Sequence, residues 1–243
     1  MNDNSQSVVW INKQALASQS SNAVLSPAGS LEAELADPIK RVLRNTYALL
    51  AMTLLFSAAV ASTAVALQWR SPGMILTLVG YFGLLFAVHK MQNSAWALPA
   101  VFALTGFMGY TLGPLLTHAL ALPGGAQTVS LALAATGATF LTLSGYVLLT
   151  RRDFSFMGGF LFCGMVIALV AGIAGVVFEI SGLGLVVSAM VALLSAGLIL
   201  FETSRIVNGG ERNYVLATVS LYVSVFNLFT SLLALFGIAG SND

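Results

Sequence analysis

Residues 165–178 read MVIALVAGIAGVVF. A strand of a membrane barrel alternates polar and apolar residues over about ten positions. This run does not alternate, so it reads as helix. Reading outward, residues 154–178 carry no Asp, Glu, Lys or Arg. A helix needs roughly 20 mainly apolar residues to cross a bilayer, and this stretch is long enough. The same holds for the charge-free stretches 45–69, 71–89, 91–150, 180–201 and 213–242. The stretch 91–150 is too long for one crossing, and Leu122-Pro123-Gly124-Gly125 divides it with a turn. Seven spans result, at about 45–67, 73–89, 95–119, 127–149, 157–178, 183–204 and 214–238.

Composition agrees. Of 243 residues, 58% are hydrophobic and 8% charged. Soluble domains carry about a quarter charged residues, and a soluble fold of this size has no place for so much apolar surface. The expected class is therefore an all-α membrane protein. The formal net charge of +1 gives no reason to expect a nucleic-acid partner. The single cysteine, Cys163, excludes an internal disulfide and a cysteine-built metal cage. It reads as a small apolar packing residue.

The basic residues are unevenly placed. Lys13, Lys40, Arg41, Arg44, Lys90, Arg151, Arg152, Arg205 and Arg212 fall on one side of a seven-span topology, and Arg70 falls alone on the other. Basic loops stay in the cytoplasm. The expected orientation is N-terminus inside and C-terminus outside. Residues 1–44 are rich in Ser, Asn, Gln and Ala and lack the pattern of a secretory signal. They read as a polar cytoplasmic tail, largely disordered, and residues 45–243 as the membrane domain. Glu32 to Arg44 has the composition to extend the first helix, with Pro38 interrupting it. Pro114 is expected to kink or locally open helix 3. Small residues such as Gly106, Gly109 and Gly113 recur at spacings that let helices approach closely.

Glu202 is the acid set deepest in a span. It lies three residues before Arg205, so the two can meet one helical turn apart. Glu179 sits at a span end, where water solvates it. Asn227 lies within helix 7, and its amide needs a partner, most simply across the bundle. His89 and His118 should lie at opposite membrane faces and cannot share a metal. Asp153 and His118 are likewise separated, so no Ser/His/Asp trio forms. Gly124-Gly125 and Gly209-Gly210 are turns without the Lys-Ser/Thr that follows a phosphate loop. No catalytic, cofactor or metal site is expected, and the protein does not read as an enzyme.

Four segments carry a resemblance: SPGMILTLVGYFGLLF (71–86), FALTGFMGYTLGPLL (102–116), SGYVLLTRRDFSFMGGFL (144–161) and ILFETSRIVNGGERNYVLATVSLYVSVFNLFTSLLALFG (199–237). Together they resemble the Bax inhibitor (TMBIM) family, and within it the proteobacterial YccA branch. The resemblance spans residues 40–240. It implies a seven-helix bundle in which six helices surround a central seventh. It also implies an inner-membrane protein that binds the membrane-anchored AAA protease FtsH and its HflK–HflC regulators and restrains proteolysis of membrane proteins. The tail would then suit a handle for the protease to pull. Other branches imply an alternative, a pH-sensitive calcium leak channel built on two carboxylates. Glu202 matches the first of these positions, while the second is Ser224, which can hydrogen-bond but cannot supply a charge. The candidate functional polar residues are Glu202, Arg205, Ser224 and Asn227.

Overall fold

The computed structural model describes residues 27–239. Seven α-helices follow in order: α1 (Pro27–Ala66), α2 (Met74–Met91), α3 (Ala97–Ala121), α4 (Gly125–Thr150), α5 (Gly158–Val177), α6 (Leu183–Val207) and α7 (Tyr214–Ala239). A single 3₁₀ turn, Ser155–Met157, precedes α5. All seven helices are long and apolar enough to cross a membrane. The chain is a multi-pass, all-α membrane protein; six of the expected spans are present within a few residues, and the first helix begins at Pro27, well before the expected start at residue 45. Residues 1–41 and 42–243 form two units, and the second holds the bundle. The expected tail covers residues 1–44 and the expected handle residues 1–37; of these, residues 1–26 lie outside the described residues. From Pro27 the chain is helical, and α1 continues through Pro38.

Turn chemistry sets the crossings. Between α3 and α4, Gly124 adopts φ 69°, a left-handed conformation that costs glycine nothing. A side chain on Gly125 would strike the Ala119 carbonyl. The Pro-Gly-Gly sequence therefore folds α4 straight back on α3. The helix α3 continues on both sides of Pro114.

The seventh helix is the axis of the bundle. Half of its span is buried, against 6% for α2 and 11% for α5. It packs most extensively on α6, then on α4 and α3, and it meets α1 where the Thr218 hydroxyl donates to the Thr46 carbonyl. The main core gathers Leu50, Val101, Leu104, Ile206, Leu221 and Tyr222. Outward faces carry Phe86, Leu149, Phe160 and Leu193, which water would not tolerate together but lipid accepts. Cys163 is among the outward-facing residues. Its expected packing role is not met: a thiol behaves as a hydrophobe, and hydrocarbon accommodates it as readily as a core does.

Close approach of α1 and α3 rests on glycine. A Cβ on Gly109 would lie 2.5 Å from the Ser57 carbonyl oxygen, and one on Gly113 would collide with the Ala64 methyl. Without a hydrophobic force between helices in lipid, van der Waals contact at such positions holds them together.

Candidate functional site at the basic end of the bundle

The last two turns of α6 carry Glu202 and Arg205. Helical periodicity sets them on one face, and Arg205 Nη1 lies 3.5 Å from Glu202 Oε2. Glu202 is 7% exposed, and its Oε2 makes no hydrogen bond among the described residues. The guanidinium also sits 5.5 Å from the centroid of the Phe201 ring. Its Nη2 donates to Glu211 Oε2 at 3.1 Å. Arg205 thus bridges two carboxylates.

Glu211 is brought there by the turn that ends α6. Asn208 is the last capping residue, and Gly209 follows at φ 73°. The Gly209 N–H donates to the Ile206 carbonyl and the Gly210 N–H to the Arg205 carbonyl. This pair of bonds is the Schellman arrangement that closes a helix with a left-handed glycine. It reverses the chain so that Glu211 returns over Arg205, and Glu211 Oε1 accepts from the Asn213 N–H. Sequence reading identified Gly209-Gly210 as a turn but missed the carboxylate it delivers. The available signal was an acid two residues past a glycine cap in a chain with few acids.

Ser204 is a second junction. Its hydroxyl accepts from the Phe154 N–H at 2.8 Å and from Asn208 Nδ2 at 3.2 Å. It lies within donating distance of the Arg152 carbonyl and Asp153 Oδ1. Hydrogen bonds from Ser155, and to a lesser degree Ser204, hold the Asp153 carboxyl below the usual carboxylate range. Asn213 ties the same end to the α2–α3 loop through Gln92 and Asn93. Buried Ser144 and Thr203 join α4 to α6 at 3.3 Å.

The other two candidates stand apart from this cluster. Ser224 is buried, and its hydroxyl donates to the Ser220 carbonyl one turn back. Counted from the α6–α7 turn at 1.5 Å per residue, Glu202 lies about 8 Å deep and Ser224 about 15 Å deep. The acid that accompanies Glu202 is Glu211, from the turn, with Arg205 between them. Asn227 is half-buried and lines a groove between α2 and α5. A further polar contact lies at the centre of the bundle, where the Tyr222 hydroxyl donates to Ser57 Oγ at 2.6 Å beside an apolar cavity of about 660 Å³.

Residues 39–241 match the model of the family described as inhibitor of apoptosis-promoting Bax1. An uncharacterized protein of Pseudomonas aeruginosa is 51% identical over 205 residues, 84% of this chain and 92% of that one. The Escherichia coli K12 protein named modulator of FtsH protease YccA is 48% identical over 199 residues, 82% of this chain and 90% of that one. An uncharacterized membrane protein of Vibrio cholerae is 43% identical over 205 residues, with coverage of 84% and 92%.

Proposed function

Because the chain belongs to the Bax inhibitor family, we propose that it is an inner-membrane regulatory protein that binds FtsH and restrains its proteolysis of membrane proteins. The observation that carries this reading is the 48% identity, over 90% of its length, to a relative named as a modulator of that protease. In this reading the protein acts by contact and catalyses no reaction, HflK–HflC accompany FtsH as partners, and the basic end faces the cytoplasm.

The arrangement at that end is suited to a rigid platform. Arg205 holds two acids, while Ser204 and Asn213 tie three loops to one another and to α6 and α7. The alternative, an acid-tuned calcium leak, draws less support. The span 214–239 has no carboxylate, and the acids on Arg205 are already paired with a cation.

Affinity capture of the tagged full-length protein from solubilised membranes tests the reading, together with pulse-chase of a membrane substrate of FtsH. FtsH and HflK–HflC should be recovered, and raising the level of this protein should lengthen the substrate's half-life. Absence of FtsH from the capture, with unchanged half-lives, would overturn it.

A further inference from the structure

Two polar groups, each near the midpoint of its membrane-spanning helix, line one groove on the outside of the bundle. The groove, of about 590 Å³, is walled by α2 and α5, with Val191 of α6 and Asn227 of α7 at its base. Asn227 is 13 residues into α7 and 12 residues from its end. Tyr81 lines the same groove near the midpoint of α2. Among the described residues, neither side chain makes a hydrogen bond, and Asn227 contributes only its backbone carbonyl, which accepts from the Thr230 hydroxyl. The rest of the lining is apolar, with Phe82, Phe162, Val166 and Leu169 at the rim.

An unpaired amide in hydrocarbon is costly, because nothing in the lipid interior replaces water. Lipid does not meet the need here. Acyl chains carry no polar atoms, and headgroups stay about 15 Å from the midplane of a 30 Å core. An occupant that satisfies both groups must bring hydrogen-bonding atoms to mid-membrane on an apolar body. A transmembrane helix with an amide or hydroxyl side chain near its centre has that chemistry.

We propose that the α2–α5 groove is the seat of a partner's transmembrane helix, with Asn227 and Tyr81 as its polar anchor, and that the partner is the membrane anchor of FtsH. The identity of the partner rests on the function proposed above. The geometry of the seat does not. Guest side chains lie along the groove between Phe82 and Phe162, and a polar residue at the guest's midpoint bonds Asn227. Asn offers both donors and acceptors, so it can answer a hydroxyl or a carboxamide alike.

The test is a photoreactive phenylalanine analogue placed in the full-length protein at Phe162, on the groove rim, or at Leu141, an equally exposed position on α4. After irradiation of native membranes, FtsH should be crosslinked from position 162 and not from 141. Asn227→Leu should weaken FtsH recovery about threefold or more, the range expected for loss of an interhelical side-chain bond. Asn227→Gln, which keeps the amide, should retain most of it. Crosslinking from 141 but not 162, with FtsH still captured, would overturn the groove and leave the function standing. Full recovery with Asn227→Leu would remove the anchor. Failure to capture FtsH at all would overturn the function and, with it, the partner assigned here. The position-162 crosslink is made on otherwise unaltered protein, so misfolding of a variant does not decide the outcome.

Discussion

Arg205 stands between Glu202, which is buried, and Glu211, which comes from the turn. Removing the cation leaves the buried Glu202 carboxyl without its partner. Breaking a buried pair costs about 3–5 kcal/mol, and the one-third exposure of Arg205 reduces this to about 1–3 kcal/mol. Arg205→Ala should therefore lower thermal stability in detergent clearly. The double variant with Glu202→Gln should recover part of the loss, because it also removes the carboxyl left buried and unpaired. A double variant less stable than Arg205→Ala alone would show that Glu202 is not the group left stranded. The Glu202–Arg205 pair was legible from a spacing of three on a helix. Glu211 was not, since its position depends on the left-handed Gly209 and two backbone bonds rather than on any periodicity. Ser224 was singled out beside Glu202 by the resemblance alone, since no spacing rule relates positions on two different helices. The helix ends set the two residues at different levels, and the hydroxyl is satisfied on its own helix.

Helices were the most legible level, because a span is announced by length and absence of charge, and lipid enforces backbone pairing within each segment. Small-residue spacing on α3 also held its meaning, though sequence did not say which glycines touch a neighbour. The structure separates them. Gly109 lies against α1, and a Cβ there meets the Ser57 carbonyl at 2.5 Å, whereas nothing lies within 4 Å of one on Gly83. Gly109→Ala should cost about 1–3 kcal/mol through overpacking against backbone that cannot yield. Gly83→Ala should be neutral or mildly stabilising, since alanine is the better helix former. Comparing the two melting temperatures in one detergent checks this, and equal effects would mean that α1 and α3 are not packed as described. The α4–α5 connection offers a pH signature. Asp153 has a depressed pKa in the folded protein, from Ser155 first. Its contribution is present above the ordinary carboxylate range and lost as pH falls through the lowered folded value. The stability gap between wild type and Asp153→Asn should then shrink on acidification below that range, as followed by thermal unfolding across pH. A gap that widens would reverse the assignment.

At the scale of the molecule, charge and connectivity converge on one orientation. Seven crossings place the loops after α2, α4 and α6 at a common end, and the structure links them directly. Asn213 bonds Gln92 and Asn93, and Ser204 joins Phe154 to Asn208. Those loops and their helix ends hold Lys90, Arg151, Arg152, Arg205 and Arg212. Arg44 belongs with them, because its α1 neighbour Thr46 accepts a hydrogen bond from Thr218 in the second turn of α7. The connection between α1 and α2 carries only Arg70, whose carbonyl accepts from Tyr110. Insertion follows the basic loops, which resist translocation when they are short, and all three are under ten residues. We therefore expect the basic end in the cytoplasm and the end of α7 outside. A reporter that is active only beyond the cytoplasm, fused after Asp243, should be active, and the same reporter in the α4–α5 connection near Asp153 should be silent. Neutralising Arg70 should change neither, since the bias would become nine to none, whereas replacing Arg151 and Arg152 together should weaken the bias without abolishing it. Activity of a cytoplasm-only reporter after Asp243 would require either an even number of crossings or an inverted bundle. An inverted bundle would put Arg205 and its two acids, with the rest of the basic end, outside the cytoplasm, against the bias that short basic loops impose.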